Sequence, residues 1–268
     1  MGGIDRSRGG KAVVNPRFFV DSSAIERQGG GGFVAEIAGD EAHHALRVLR
    51  IAPGDEVVVL DDSGLEYHGR VREVASRDKP PRFWVQGETI EPAAGEPPFR
   101  VCLVQALPKG DKMDLVVQKG TEVGITHFAP ALSERVVVEY DPRKAEARRA
   151  RWQRIAQEAA KQGGRGRRPQ VAAIRPVLQC LVDLKDELIL VLWEQAETPI
   201  KKVLREENRQ GIGGVALVVG PEGGFSAREV EAMEALGARA VSLGPRILRT
   251  ETAGPVAAAI VLYEWEGG

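Results

Sequence analysis

The fold of this chain is decided by the stretch Leu217-Val218-Val219-Gly220-Pro221-Glu222-Gly223-Gly224-Phe225-Ser226-Ala227-Arg228-Glu229. An apolar run predicts a buried strand, and the glycines after it allow a ligand to approach the backbone closely. Ser226 and Glu229 have the spacing of a capping box, which marks the start of a helix. The spacing matches neither a P-loop nor the dinucleotide fingerprint, so loop composition alone also allows a plain strand–helix turn.

A second glycine-containing loop occurs further along the chain, between a predicted strand at 240–243 and a predicted helix at 252–265. Two such loops at the carboxyl ends of neighbouring parallel strands would line one pocket. Ile247 and Leu248 are apolar within this otherwise polar loop. The pattern leaves open whether they cover a flat ligand or fill the core.

The rest of the chain divides into two regions of different periodicity. Short β-rich runs with one helix at 40–50 predict a small barrel, and from residue 100 onward strands and helices alternate, as in a parallel α/β sheet covered on both faces. A proline-rich stretch at 91–98 separates the regions. We predict a flexible leader at 1–14, the barrel at 15–92, a linker at 93–98 and the α/β domain at 99–268.

Composition excludes several classes of protein. No apolar run is long enough to cross a bilayer, and residues 1–11 lack the apolar core of a signal peptide, so a cytoplasmic location is expected. Cys102 and Cys180 each sit alone in an apolar run, which favours buried free thiols. The four histidines and two cysteines show no metal-ligand spacing, so no metal is predicted. The net charge is −1, but ten Lys and Arg residues between 143 and 168 predict a local positive face.

Both loops resemble those of the SPOUT methyltransferases. Four further stretches are similar to the 16S ribosomal RNA uridine N3-methyltransferase family within that superfamily: Arg17–Phe19, His43–Arg50, Lys109–Gly124 and Glu158–Arg165. The resemblance covers about residues 15–266. It implies an α/β fold in which a small PUA-like β-barrel domain precedes a SPOUT domain with a deep trefoil knot. It also implies a homodimer, and S-adenosyl-L-methionine as the cofactor, bound near the subunit interface. No membrane association is expected, because no apolar run is long enough to cross a bilayer.

Carried over by position, the resemblance assigns the cofactor pocket to the two loops and to the strand end near 193. The expected cofactor-binding residues are Leu192, Glu194, Val219, Gly220, Glu222, Gly223, Leu243, Gly244, Ile247, Leu248 and Ala253.

The chemistry of the implied reaction suggests catalytic residues. Uridine N3 carries a proton at neutral pH, so methylation requires a base, or a cation that stabilises the uridinate. Glu222 and Glu251 are the candidates for proton removal, and Arg249 for charge stabilisation. Glu251 has an alternative role, because a carboxylate near the start of a helix also stabilises the helix dipole.

The implied substrate is 16S rRNA, within an assembled small (30S) subunit if the family's preference holds. Basic residues of both regions are the expected phosphate contacts: Arg17, Arg47, Arg50, Lys161, Arg165, Arg167 and Arg168. Two alternatives remain open. One is another SPOUT reaction, on a ribose 2′-oxygen or guanine N1. The other is a non-enzymatic RNA-binding protein.

Overall fold

The structure is a computed structural model that describes residues 15–136, 141–184 and 187–266. The predicted leader, residues 1–14, lies outside these ranges. The chain divides into two compact units between Ala93 and Ala94, inside the predicted linker. Within the described ranges, none of the helices combines the length and the apolar character that crossing a membrane requires.

The first unit is built on a six-stranded mixed sheet in the order β1-β4-β5-β6-β3-β2, in which β1 and β4 are parallel and the other pairs antiparallel. The residues of β3 alternate between buried and more exposed positions, so one face of this strand packs into the core. The strands are β1 (Arg17–Phe19), β2 (Ile25–Arg27), β3 (Phe33–Ala38), β4 (Glu56–Leu60), β5 (Leu65–Ala75) and β6 (Arg82–Pro92).

The predicted helix at 40–50 is present but differs in detail. It begins as α1 (Gly39–His44) and continues as a π-helical turn over Ala45–Leu49. The helix begins at Gly39, so Asp40 lies in its first turn, and no side chain caps it. Leu49, in the π-helical turn, is 45% exposed. The wider π-helical turn changes the rotation per residue about the helix axis, so the residue spacing of an α-helix does not identify the buried face there.

The second unit is built on a seven-stranded sheet in which every pair is parallel. The order is β10-β8-β7-β12-β11-β13, with β9 paired to β8. The strands are β7 (Arg100–Ala106), β8 (His127–Leu132), β9 (Gln170–Val171), β10 (Arg175–Pro176), β11 (Glu187–Leu192), β12 (Gly214–Val219) and β13 (Arg239–Val241).

Helices cover both faces of this sheet and form two separate core clusters. Residues of β7 alternate between the clusters, with Leu103 in one and Val104 in the other, as the pleat requires. The prediction of a doubly covered parallel sheet is therefore confirmed. The helices are α2 (Lys112–Val123), α3 (Pro142–Gln162), α4 (Val177–Val182), α5 (Ile200–Glu206), α6 (Ala227–Glu234) and α7 (Thr250–Glu266).

Two predictions from local sequence features concern the start of α6 and the two cysteines. The predicted capping box at α6 is confirmed: Ser226 Oγ accepts from the Glu229 amide at 3.2 Å, and Glu229 Oε2 accepts from the Ser226 amide at 2.9 Å. Cys102 and Cys180 are buried free thiols, as predicted. Burial raises the pKa of the Cys102 thiol to about 12, so this thiol remains protonated at neutral pH.

Candidate active site

The site is built at the carboxyl edge of the parallel sheet, where four strands end side by side. Their aligned residues are Gln105 of β7, Val219 of β12, Leu192 of β11 and Val241 of β13. The loops that follow β11, β12 and β13 therefore leave the sheet at the same edge, as predicted. The strands that carry the two glycine loops are not direct neighbours, however, because β11 lies between β12 and β13.

One buried hydroxyl joins the end of the second loop to the first loop. Thr250, the first residue of α7, donates a hydrogen bond from Oγ1 to the carbonyl oxygen of Gly220 at 2.6 Å. Thr250 Oγ1 in turn accepts from Gln105 Nε2 at 2.9 Å. Gln105 is fully buried. The three segments are thereby held together below the protein surface.

A cation makes a second connection nearer to solvent. Lys112 Nζ lies 2.7 Å from Glu222 Oε1 and 3.6 Å from Glu251 Oε2. Glu222 Oε1 also accepts from the amide of Lys109 at 3.1 Å. Partial burial acts to raise the pKa of Glu222, but the hydrogen bonds from Lys112 and from backbone amides outweigh it, so this pKa is lowered. The hydrogen bond to Glu222 raises the pKa of Lys112.

The glycine at the turn of the first loop packs against the end of β11. Gly224 has φ +64, and a Cβ atom there would lie 3.0 Å from Glu194 Oε1. The carbonyl of the neighbouring Gly223 accepts from Arg135 Nη1 at 2.6 Å. These contacts hold the loop from two sides, and the left-handed backbone conformation of Gly224 explains the glycine, because side chains strain that conformation.

The second loop lies beside an apolar groove of about 540 Å³, which we call the α7 groove. Gly244 lines it with φ +107, and a Cβ atom there would meet no heavy atom within 4 Å. The lining also includes Leu243, Val256, Ile260 and Tyr263. Of the predicted cofactor residues, Leu243 and Gly244 meet in this groove, whereas the first loop reaches the second through Thr250.

The remaining predicted cofactor residues differ widely in exposure. Val219 is buried, and Leu192, Leu248 and Ala253 are half-buried at the same edge. Ile247 is 89% exposed. The interpretation of this isoleucine as core filling is therefore wrong, and its apolar surface is open to a ligand or a partner.

The three candidate catalytic residues have different surroundings. Arg249 is exposed, and within the described residues its side chain makes no ion pair or hydrogen bond. Glu222 is engaged by Lys112, as given above. The Glu251 side chain is 12% exposed, and its Oε2 atom has no hydrogen-bond partner among the described residues.

The structure contradicts the prediction that Arg165 contacts RNA. Its side chain is 2% exposed, and its guanidinium pairs with Glu96, with Nε 2.9 Å from Oε1. It also donates from Nη1 to the carbonyl oxygens of Thr121 and Ile125, at 3.1 and 3.2 Å. Arg165 thus satisfies carbonyls at the end of α2 and cannot reach a phosphate.

Arg17 is also held within the protein. Its guanidinium pairs with Glu66, and its side chain is 12% exposed. Glu66 Oε2 and Glu91 Oε1 each lie 3.2 Å from His68 Nε2. The sequence spacing did not predict this grouping, which brings together side chains of β1, β5 and β6. A phosphate contact by Arg17 would require its ion pair to break.

Of the other predicted RNA contacts, three are exposed, whereas Lys161 and Arg168 are partly buried. Arg47 and Arg50 are exposed beside α1, and within the described residues neither side chain has an ion pair. Lys161 pairs with Glu158 at 2.9 Å. Arg167 is exposed and Arg168 half-buried, and both make interactions within the protein.

Sequence reasoning missed several residues of the site. Gln105 is the one polar residue within the apolar run 101–107, and that exception was an available signal. Lys112 stands at the first position of a helix, where a cation is unfavourable. Thr250 and Arg135 carried no local signal, because their partners are distant in sequence.

Family models match both units. A model described as an RNA methyltransferase domain matches residues 95–262, and one described as an RNA methyltransferase PUA domain matches residues 37–79. The Bacillus subtilis (strain 168) protein named Ribosomal RNA small subunit methyltransferase E is 33% identical over 255 residues, which are 93% of this chain and 97% of the relative. A protein of the same name from Mycobacterium bovis is 34% identical over 241 residues, 86% of each chain.

Solved structures are similar over nearly the whole length. The crystal structure of Ribosomal RNA small subunit methyltransferase E from Neisseria gonorrhoeae bound to S-adenosyl methionine has a TM-score of 0.79 at 29% identity, over 94% of this chain and 98% of that one. A Legionella pneumophila methyltransferase in complex with the bound cofactor SAM has a TM-score of 0.78 at 28% identity, over 93% and 97%. These similarities confirm the predicted PUA-like domain followed by a SPOUT-type α/β domain.

One family model covers more than half of the chain, and a relative at 33% identity covers almost all of it. The chain therefore belongs to the ribosomal RNA small subunit methyltransferase E family of RNA methyltransferases.

Proposed function

We propose that this protein is an S-adenosyl-L-methionine-dependent methyltransferase that methylates N3 of a uridine in the 16S rRNA of the small ribosomal subunit. The observation that supports this best is the joining of two glycine loops by Thr250 and Gly220 at the carboxyl edge of a parallel sheet. That edge is where α/β sheets bind ligands. The proposal places the activity in the cytoplasm, with an assembled 30S subunit as substrate.

The residues at this edge fit the cofactor. Buried polar atoms without a hydrogen-bond partner among the described residues lie there, on Gln105 Oε1 and Trp193 Nε1. The exposed Ile247 and the half-buried Leu248 offer apolar surface to a nucleoside base. The residues that would hold the cofactor are Leu192, Glu194, Val219, Gly220, Glu222, Gly223, Leu243, Gly244, Ile247, Leu248 and Ala253.

The cofactor supplies an electrophilic methyl group when it is bound, so the protein mainly has to orient the reactants. Such positioning contributes about 7–11 kcal/mol in favourable cases. The N3 proton must also leave. The unpaired guanidinium of Arg249 stabilises the developing uridinate, and a carboxylate of Glu222 or Glu251 takes the proton.

The RNA must present an unpaired uridine, because N3 lies on the edge used in base pairing. We assign RNA binding to the domain at 15–92, where Arg47 and Arg50 are exposed, and to Arg167 and Arg168 of the catalytic domain. The segment 93–98 is the linker and 99–268 the methyltransferase domain in this proposal. Family membership also supports a deep trefoil knot in that domain.

We further infer a homodimer. The α7 groove exposes apolar side chains along one face of α7, with Val256 37% and Tyr263 83% exposed. Contiguous exposed apolar surface of this kind marks interaction sites. A second subunit on this face would lie beside Leu243 and Gly244, which agrees with a cofactor pocket near the subunit interface.

The decisive experiment is methylation of purified small subunits that lack the modification, with primer extension to locate the product. Mass spectrometry of the released nucleosides should identify N3-methyluridine. Ribose 2′-O-methylation or N1-methylguanine would instead indicate another SPOUT reaction. A protein that binds RNA but releases no heat when titrated with S-adenosyl-L-methionine would be a non-enzymatic binder, and the proposal would be rejected.

A further inference from the structure

We propose that Lys112 is a positioning residue of this site. Anchored by Glu222, it holds the Glu251 carboxylate in place, with one carboxylate oxygen free to accept a hydrogen bond from an N–H group of the bound ligand. The inference rests on the proposed function and deepens it, because it distinguishes the two carboxylates that are candidates for proton removal.

The position of Lys112 is not explained by helix stability. It is the first residue of α2, where the helix dipole favours anions and disfavours cations. Its ammonium instead lies 2.7 Å from Glu222, which is 110 residues away in sequence. The tertiary contact therefore accounts for a lysine at this position.

The two carboxylates differ in how many of their oxygens are free to accept a hydrogen bond. Glu222 accepts from Lys112 Nζ and from the Lys109 amide, which lies 3.1 Å from Oε1 and 3.4 Å from Oε2. Both of its oxygens are thus engaged, and its side chain is 29% exposed. A carboxylate with a lowered pKa that is already paired is a weak proton acceptor.

Glu251, in contrast, has a carboxylate oxygen that accepts no hydrogen bond within the described residues. Its side chain is 12% exposed, and Lys112 Nζ lies 3.6 Å from Oε2, within ion-pair distance but beyond a normal hydrogen bond. Within the described residues, this buried oxygen has no hydrogen-bond donor. A buried acceptor without a donor is unfavourable, so a ligand that supplies an N–H group would be bound more tightly.

Besides the adenine amino group, the reactants offer two N–H donors, the cofactor ammonium and the uridine N3–H. If the donor is N3–H, its proton passes to the Glu251 carboxylate. The nitrogen electron pair then forms the bond to the methyl carbon as the carbon–sulfur bond breaks. If the donor is the ammonium, no proton is transferred and Glu251 orients the cofactor. In both cases Lys112 holds the Glu251 side chain in place.

The test compares Glu251→Gln with Glu222→Gln in the full-length protein, since both substitutions preserve shape. Calorimetry measures the affinity for S-adenosyl-L-methionine and for 5′-methylthioadenosine, which lacks the ammonium. Single-turnover methylation of small subunits measures the chemical step. Lys112→Met, Lys112→Arg and the control Lys119→Met, on the same helix, complete the set, and thermal unfolding verifies that each variant is folded.

Two results support the inference. Glu251→Gln weakens S-adenosyl-L-methionine binding by about tenfold or more with methylthioadenosine unchanged if the ammonium is the donor. It instead slows single-turnover transfer by about 100-fold with unchanged cofactor affinity if N3–H is the donor. In either case Lys112→Met should show the same loss as Glu251→Gln. Lys112→Arg should retain most of the wild-type affinity or rate, and Lys119→Met should retain all of it.

Other results overturn it. The inference is wrong if Glu251→Gln matches the wild type in both measurements, or if Glu222→Gln is the more damaging of the two. It is also wrong if Lys112→Met retains wild-type behaviour. A wild-type protein that neither binds the cofactor nor methylates the subunit would instead refute the proposed function itself, so the two failures are distinguishable.

Discussion

The hydroxyl of Thr250 donates a 2.6 Å hydrogen bond to the carbonyl oxygen of Gly220, 30 residues earlier in the chain. The same hydroxyl accepts from Gln105 at the end of β7. A single buried group thus connects the start of α7, the first glycine loop and the central sheet. The position of the two loops relative to each other depends on this contact.

Thr250→Val should therefore loosen the site while preserving side-chain shape. The Gly220 carbonyl loses its side-chain donor in a buried position, which should lower the free energy of unfolding by about 1–3 kcal/mol. Cofactor affinity should fall as the first loop becomes free to move. Chemical denaturation and calorimetry measure the two effects.

The matched control is Thr252→Val, two residues further along the same helix, where the side chain is exposed. It should change the free energy of unfolding by no more than about 0.5 kcal/mol. Equal losses in the two variants would mean that the cross-loop hydrogen bond has no special role.

Arg165→Met should destabilise the protein strongly. It leaves the Glu96 carboxylate, 10% exposed, without its guanidinium partner, and loss of one member of a buried ion pair costs about 3–5 kcal/mol. Denaturant unfolding of this variant and of Arg167→Met, an exposed arginine two residues away, measures the difference. If Arg165→Met were as stable as the wild type but bound RNA more weakly, the predicted phosphate contact of Arg165 would be supported after all.

The order of strands and helices was predictable because periodicity and capping are local properties of the sequence. The capping box at Ser226 is an example. Contacts such as Gln105 with Thr250, 145 residues apart, were not predictable, because a local pattern does not identify a distant partner. Arg165 was misassigned for the same reason. No local pattern around Arg165 identifies its partner Glu96, which lies 69 residues earlier.

Acidification should destabilise the protein through His127. Burial, together with the nearby charge of Arg100, lowers the pKa of His127 from 6.5 to about 4. Between these values the unfolded chain binds a proton that the folded protein does not, so stability falls as the pH drops through this window.

His127→Asn should reduce that slope, because it removes the titrating group and places an amide near the Thr126 hydroxyl, which lies 2.9 Å from Nδ1. Unfolding free energies at several pH values between about 4 and 6.5 measure the change. The exposed His43→Asn serves as the control and should leave the slope as in the wild type. A His127→Asn protein with the wild-type slope would assign the acid sensitivity to other groups.

Arg47→Ala should weaken RNA binding without affecting stability. The side chain is exposed beside α1, and each lost phosphate contact reduces the slope of log affinity against log salt concentration by about 0.7–0.9. Affinity for the small subunit measured at several salt concentrations gives this slope. Arg72→Ala, an exposed arginine on β5, should bind as the wild type does. An unchanged slope for Arg47→Ala would remove this residue from the RNA-binding surface.

The α7 groove gives the sharpest test of the proposed homodimer. Tyr263 is 83% exposed and lies on the same apolar face as Val256 and Ile260, so a charge at this position meets solvent in a monomer but apolar surface in a dimer. Tyr263→Glu should therefore leave folding intact and convert the dimer to a monomer, as measured by light scattering during gel filtration. Leu236→Glu introduces the same charge at an exposed leucine after α6 and should remain dimeric. Cofactor affinity should fall with dissociation, because the groove also contains Leu243 and Gly244. A dimer that survives Tyr263→Glu would place the subunit interface on another surface.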